Sequence, residues 1–257
     1  MPRGLTIVAA DARNGSVESA ILTLAFSAGT RPDREQVLAL AEGEVVGTPF
    51  TASHLPESAD GWIELLAAGL TFDCRGLLPA ESEPIPAHEA LLGLETRPAG
   101  EAISLAPGPH LAEAAGMQPV LRVLAGIGAT LAGLPGVTAV AWNPARCWMP
   151  PAYFGKVVSS WLAGGPFPAL GLTSLQRGRD GSMQTVGLSL LTGQELLFTP
   201  DRQLGPADMA RIAVRLIHAL IEVEPLTAPH QFTGPEGETI DVVPMGQGRQ
   251  LRVSVRR

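Results

Sequence analysis

Residues 123–142 read "VLAGIGATLAGLPGVTAVAW", twenty residues without one charge. A run of about twenty apolar residues matches the hydrocarbon thickness of a bilayer. Small residues also recur in it at helical spacing, Ala125, Ala129 and Gly133, as they do where helices pack closely. Yet Leu134-Pro135-Gly136 is a turn signal, and the seven residues from Gly136 to Trp142 carry a β-branched, strand-forming pattern. The expectation is a helix that ends near Leu134 and a buried strand after it, with no membrane crossing. A helix and strand this apolar must be surrounded by other elements, so the chain needs a sizeable core.

The composition can supply one. The chain has 257 residues, of which 46% are hydrophobic and 17% charged, enough for one large domain or two small ones and too apolar for disorder. Its formal charge of −7 argues against a nucleic-acid partner, which requires a basic surface. The charge is unevenly spread. Residues 57–113 hold ten acids against Arg75 and Arg97, whereas 114–179 hold no acid, only Arg122, Arg146, Lys156, Arg177 and Arg179. Lys156 is the sole lysine beside seventeen arginines; with the abundant Ala, Gly and Pro this points to a GC-rich bacterial genome. Cys74 and Cys147 form no C-x-x-C pair, which speaks against a disulfide framework or a zinc site and for a reducing cytosol. The first residues lack the charged-then-apolar shape of a signal peptide. A cytoplasmic protein without a cofactor or bound metal is expected.

Two rounds of one element order run along the chain. In the first, "SAILTLAFSAG" (19–29) reads as a buried strand, and a short strand is possible in the leader at 5–10. "RPDREQVLALAEG" (31–43) reads as a helix opened by Pro32 and Asp33 and stopped by Gly43. "WIELL" and "LTFDCRGLL" flank Ala-Ala-Gly as a hairpin, "PIPAHEALLGL" (84–94) reads as a short helix, and "EAISLAP" as a strand. Residues 109–134 form a helical connection that Pro119 interrupts or restarts. In the second round, "GVTAVAW" is a strand and "PPAYFGKVVSSWLAG" a helix with proline in its first turn. "PALGLTSLQ" and "SMQTVGLSLL" are strands around the turn "RGRDG", and "GPADMARIAVRLIHALIEVE" is the strongest amphipathic helix. "TIDVVP" and "QLRVSVRR" close the chain as strands. The expected fold is α+β: two ferredoxin-like β-α-β-β-α-β units with antiparallel-rich sheets, spanning 1–108 and 135–257 and joined by the helical segment 109–134.

Each chemically suggestive residue also has a plain structural explanation. "GIGATL" (126–131) superficially resembles a dinucleotide turn, but Pro135 leaves too little helix and no acid follows before Asp180; close helix packing explains it better. Cys147 sits after a strand beside Arg146, which could lower its pKa, yet nothing like a protease signature surrounds it. His218 and Glu222 share a helix face, as metal ligands can, but His218 adjoins the apolar side and reads as a hydrogen-bonded boundary residue. The aromatic residues are more suggestive. Trp142, Trp148, Tyr153, Phe154, Trp161 and Phe167 fall within twenty-six residues. Gathered by the fold, they would form an apolar wall edged by Arg146 and Lys156, suited to a small molecule or a protein partner. Finally, "GLSLLTGQELLF" (187–198) keeps one acid in an apolar strand. Glu195 and Leu197 share one strand face, and a buried carboxylate needs a partner. Arg146, Arg177, Arg179 or nearby backbone amides are the candidates.

Four stretches, "EPIPAHEAL" (83–91), "VTAVAWNPARCWMPPAYF" (137–154), "PALGLTSL" (168–175) and "TVGLSLLTGQELLF" (185–198), carry a resemblance. The chain resembles an uncharacterised bacterial family known only as a domain of unknown function, over about residues 20–222. Thr185, Gly187, Gly193, Glu195 and Leu196 match its late T-x-G…G-x-E-[LI] block. The resemblance implies a cytosolic α+β protein and brings no catalytic residues with it.

The sequence therefore points to a non-enzymatic binding or regulatory protein. Its candidate ligand or interface residues are Trp142, Arg146, Trp148, Tyr153 and Glu195. The partner is a small molecule or a protein, with homo-oligomers allowed. Two alternatives stand beside it: a hydrolase-like enzyme using Glu195 or Cys147 with a histidine, and a structural subunit of an assembly.

Overall fold

A computed structural model of the chain describes residues 20–41, 47–200 and 204–256; the strand expected at 5–10 and the helix stop at Gly43 lie outside them. The fold is α+β, built on two sheets. The first contains β1 (Leu22–Phe26), β2 (Thr51–His54), β3 (Trp62–Ala67), β4 (Leu70–Arg75), β5 (Ala90–Leu91), β6 (Glu101–Pro107), β7 (Val137–Trp142) and β8 (Cys147–Met149). Their order is β2-β3-β4-β6-β1-β7-β8-β5, antiparallel except for the β5–β8 pair. The second contains β9 (Ser174–Arg177), β10 (Met183–Val186), β11 (Glu195–Phe198), β12 (His230–Thr233), β13 (Thr239–Met245) and β14 (Gln250–Arg256). Its order is β12-β13-β14-β11-β10-β9, with β11 and β14 parallel. The helices are α1 (Arg34–Ala41), α2 (Gln118–Leu131), α3 (Pro151–Leu162), the single turns α4 (Ala169–Leu172) and α5 (Ser189–Thr192), and α6 (Pro206–Leu220).

The charge-free stretch folds as its turn signal dictates. Pro119 stands in the first turn of α2, whose interior is almost wholly buried, and a tight turn at Gly136 leads into β7. No helix among the described residues is long and apolar enough to cross a membrane. The "GIGATL" glycines serve packing. The Thr48 amide donates to the Gly126 carbonyl at 3.1 Å, and a Cβ on Gly126 would overlap the Thr48 side chain and press Leu162. At the start of α1, Asp33 and Gln36 cap each other reciprocally, at 2.8 and 3.0 Å.

β1 shows how the sheet sorts its residues. Leu22, Leu24 and Phe26 enter the large core, which α2 and α3 help to form, while Thr23 and Ala25 point to the other face. There Ala25, Ala139, Ala141 and Trp148 make a smaller apolar cluster beneath Ile85, Leu91 and Leu94. Buried side chains from both sheets belong to one continuous large core.

The bonding differs from two successive ferredoxin-like units. β7, expected to open the second unit, pairs with β1, and β8 and β5 extend that sheet to eight strands. An apolar strand such as β7 satisfies its backbone best in a sheet interior, and β1 offered an open edge. The stretch 84–94 is extended rather than helical. Pro84 and Pro86 disfavour helix in the residues before them, and the Trp148 indole N–H holds the segment on the sheet by donating to the Pro86 carbonyl at 3.2 Å. Residues 168–176 start with the α4 turn, where Gly171 has φ +120°, and become strand only at Ser174. Only Met183–Val186 of the following apolar run is strand, because Gly187, at φ +91°, turns the chain out of the sheet. The strands 51–54, 147–149 and 230–233 are too short to show a period in sequence.

Two glycines test this packing. Gly126→Ala should destabilise the protein by about 1–3 kcal/mol through overpacking, whereas a Cβ on Gly155, inside α3, meets nothing within 4 Å. Gly155→Ala should therefore stabilise by about 0.5–1 kcal/mol. Urea unfolding of the two variants measures both, and an equal response would contradict the close approach at Gly126.

Candidate functional site

The carboxylate of Glu195 is held inside its own hairpin. Gly187 N–H and Ser189 N–H donate to Oε1 at 2.9 and 3.0 Å, and the Thr185 hydroxyl donates to Oε2 at 2.6 Å. Thr185 Oγ1 in turn accepts the Leu196 N–H at 2.7 Å. Among the described residues no arginine pairs with Glu195; of the two kinds of partner expected, backbone amides hold it, joined by a buried hydroxyl. The block noted in sequence is thus one structural unit. Thr185, Gly187, Glu195 and Leu196 form the bonded ring, and Gly193 (φ +74°) makes the turn that brings Glu195 back. Gly187 also approaches the other sheet so closely that a Cβ there would lie 2.8 Å from the backbone of Ala145. Close by, Ser174 Oγ donates to the Ala145 carbonyl at 2.6 Å.

The segment 143–147 that receives this contact carries the other suggestive residues. Trp142 and Trp148 are buried on opposite faces of the first sheet, one in each apolar cluster. They do not share a wall. Arg146 is exposed, in left-handed backbone conformation (φ 51°) after the 3₁₀ turn Asn143–Ala145. Cys147 is buried; its thiol contacts the Trp148 carbonyl at 3.6 Å, and burial pushes its pKa up rather than Arg146 pulling it down. Cys74 is also fully enclosed, its thiol pushed up to about 12 by burial and the neighbouring Asp73 charge. Neither thiol has the exposed, electropositive setting of a nucleophile.

One cluster escaped the sequence reading. His88 Nε2 lies 3.0 Å from Asn143 Oδ1, and the Asn143 amide donates to Thr23 Oγ1 and the Ala20 carbonyl, both at 3.0 Å. Burial, with help from the Arg146 charge, holds His88 below the usual histidine range against the opposing Asn143 hydrogen bond. The imidazole–amide pair joins "EPIPAHEAL" to "AWNPARCWM", two segments far apart in sequence, and no local period could have announced it. It locks the extended segment onto the sheet. His218 Nε2–H, likewise, donates to the Phe167 carbonyl at 2.9 Å, which explains it as a boundary residue. No group of three or more potential metal ligands gathers among the described residues.

The remaining candidate, Tyr153, faces open space. α3 and α6 flank a cavity of ≈ 300 Å³ floored by the connector 166–170, with Tyr153, Val157, Phe167 and Val214 among its walls. Tyr153 Oη donates to the Leu170 carbonyl at 3.0 Å, which fixes the ring along the groove. Over Val214 and His218 the groove continues into a cavity of ≈ 730 Å³ against β12, where Phe232 adds an apolar wall. Past Leu170, on the other side, lies a pocket of ≈ 170 Å³ between β5 and β9. No protein-family model matches the chain, and neither a curated protein nor a solved structure matches it.

Removing the Glu195 carboxylate breaks three charge-assisted bonds and strands the amides of a turn packed on the other sheet. Glu195→Ala should cost about 3 kcal/mol and lower Tm by several degrees, while Glu57→Ala, in an exposed loop, should change nothing measurable. Glu195→Gln should cost less than alanine, since its carbonyl can accept from the amides while its NH₂ donates to Thr185 Oγ1. Differential scanning calorimetry of the three variants checks this order; a Glu195→Ala protein that melts like wild type contradicts it.

Proposed function

We propose that the protein is a non-catalytic binding or regulatory protein whose ligand or partner occupies the groove between α3 and α6. One observation carries this reading: Glu195 and the two thiols are engaged inside the fold, while the apolar groove is open. Glu195 accepts three hydrogen bonds, from Thr185, Gly187 and Ser189, and the two thiols are buried with raised pKa values. General acid–base or nucleophilic catalysis needs such groups at a surface a substrate can reach. The groove, by contrast, offers Tyr153, Val157, Phe167 and Val214 with few polar groups, the mixture of apolar walls and sparse polar atoms typical of binding sites. Within this reading the resemblance to an uncharacterised bacterial family and a cytoplasmic location remain part of the proposal. The aromatic pocket anticipated from the sequence contracts to Tyr153 and Phe167.

A fluorescent apolar dye such as anilinonaphthalene sulfonate tests the site. The folded protein should enhance its emission, and Val214→Asp should abolish the enhancement while the protein stays folded by circular dichroism. In parallel, a panel of hydrolase substrates should show no turnover that depends on Cys147. Dye binding untouched by Val214→Asp, or a hydrolysis lost in Cys147→Ser with folding intact, would overturn the proposal.

A further inference from the structure

The groove has a sign as well as a shape. Neither of its two larger cavities has an aspartate or glutamate in its lining, although the protein as a whole carries a formal charge of −7. Lys156, the only lysine in the chain, stands exposed on the α3 bank. Arg211 and Arg215 of α6 line the continuation. Arg211 is neutralised by Asp208 and by Glu236, the latter at 2.8 Å. Arg215 donates only to the neutral Thr233 carbonyl, at 2.7 Å, and among the described residues neither it nor Lys156 has a carboxylate partner. α3 itself lies within the acid-free stretch 114–179, so nothing on its own element offsets Lys156. An apolar trough edged by two unspent cations, on an otherwise acidic protein, is complementary to an apolar surface edged by carboxylates.

Resting on the groove being the binding site, we infer that its occupant is an acidic amphipathic helix of a partner protein. In the α3–α6 cavity the walls are side chains of α3, α6 and the connector 166–170. The helix backbones are already paired internally, so they offer no ladder to an extended peptide; the edge strand β12 borders the continuation and not this cavity. A helix instead lays residues at i, i+3, i+4 and i+7 into such a trough. The lining runs over residues 153–160 of α3 and 211–219 of α6, roughly 12–14 Å at 1.5 Å per residue, or between two and three turns of a docked helix. Carboxylates on the flanks of that helix would meet Lys156 on one side and Arg215 on the other.

The test uses the full protein and labelled helical peptides that share one leucine stripe and carry glutamate, glutamine or lysine elsewhere, with fluorescence anisotropy as the readout. The glutamate peptide should bind most tightly, more weakly as salt is raised, and at least about tenfold better than the lysine peptide. Lys156→Glu should weaken it about tenfold, and Lys156→Gln about threefold, both without a change in Tm. Equal affinity for the three peptides, or an unchanged affinity in Lys156→Glu, would overturn the inference. So would light scattering that finds a dimer abolished by Val214→Asp, since a second copy would then fill the groove. If the glutamate peptide fails to bind while Val214→Asp still abolishes dye binding, the groove stands and this occupant falls. Loss of both removes the groove itself.

Discussion

A single carboxylate, accepting from two amides and one hydroxyl, governs how the second half of the chain meets the first. Glu195 holds Gly187 and Ser189 in place, and Gly187 is the residue that touches the Ala145 backbone across the two sheets. In water such bonds would exchange for solvent at little cost. In this partly buried turn the donors have no alternative partner, so the carboxylate fixes the geometry as well as adding stability. The turn at 187–192 could not be moved without moving the strand pair β10–β11 and the contact it makes with the segment 143–147. The core that both sheets share depends on that registration.

The same clamp explains why the most site-like segment of the sequence is not where a ligand sits. An acid alone in an apolar run attracts a functional reading. Its neighbours, however, supply threonine, glycine and a helical turn whose N–H groups point inward, and their three hydrogen bonds hold both of its oxygens. Trp142, Trp148 and Cys147 are likewise spent on packing. What remains at the surface is a trough left between two helices that do not close against one another. Of its two cationic edges, Lys156 lies in an acid-free stretch of sequence, and Arg215 of α6 has only the Thr233 carbonyl as its partner.

Much of the fold was legible because it is local. The break at Leu134-Pro135-Gly136, the proline-started helices α2, α3 and α6, the β3–β4 hairpin and the strand at Leu22–Phe26 all arise from period, turn residues and capping within a few positions. The misread parts are those decided elsewhere in the chain. Residues 84–94 are extended because Trp148 and the small residues of β1 and β7 offer a flat surface to cover. β7 joins the first sheet because β1 has a free edge, a fact invisible in "GVTAVAW" itself. For Glu195 the sequence left arginine and nearby backbone amides both open, and the amides of Gly187 and Ser189 are the partners the fold supplies. His88 and Asn143, fifty-five positions apart, had no shared signal at all.

Native-state hydrogen exchange at the amides of Gly187 and Ser189 tests the central claim most directly, because those two N–H groups donate to the carboxylate rather than to any strand or helix partner. If the clamp registers the two sheets, both amides should exchange only with global unfolding, as slowly as those of β10 and β11. Exchange at the rate of an exposed surface turn would show that the Glu195 bonds open independently of the fold, and would contradict the account.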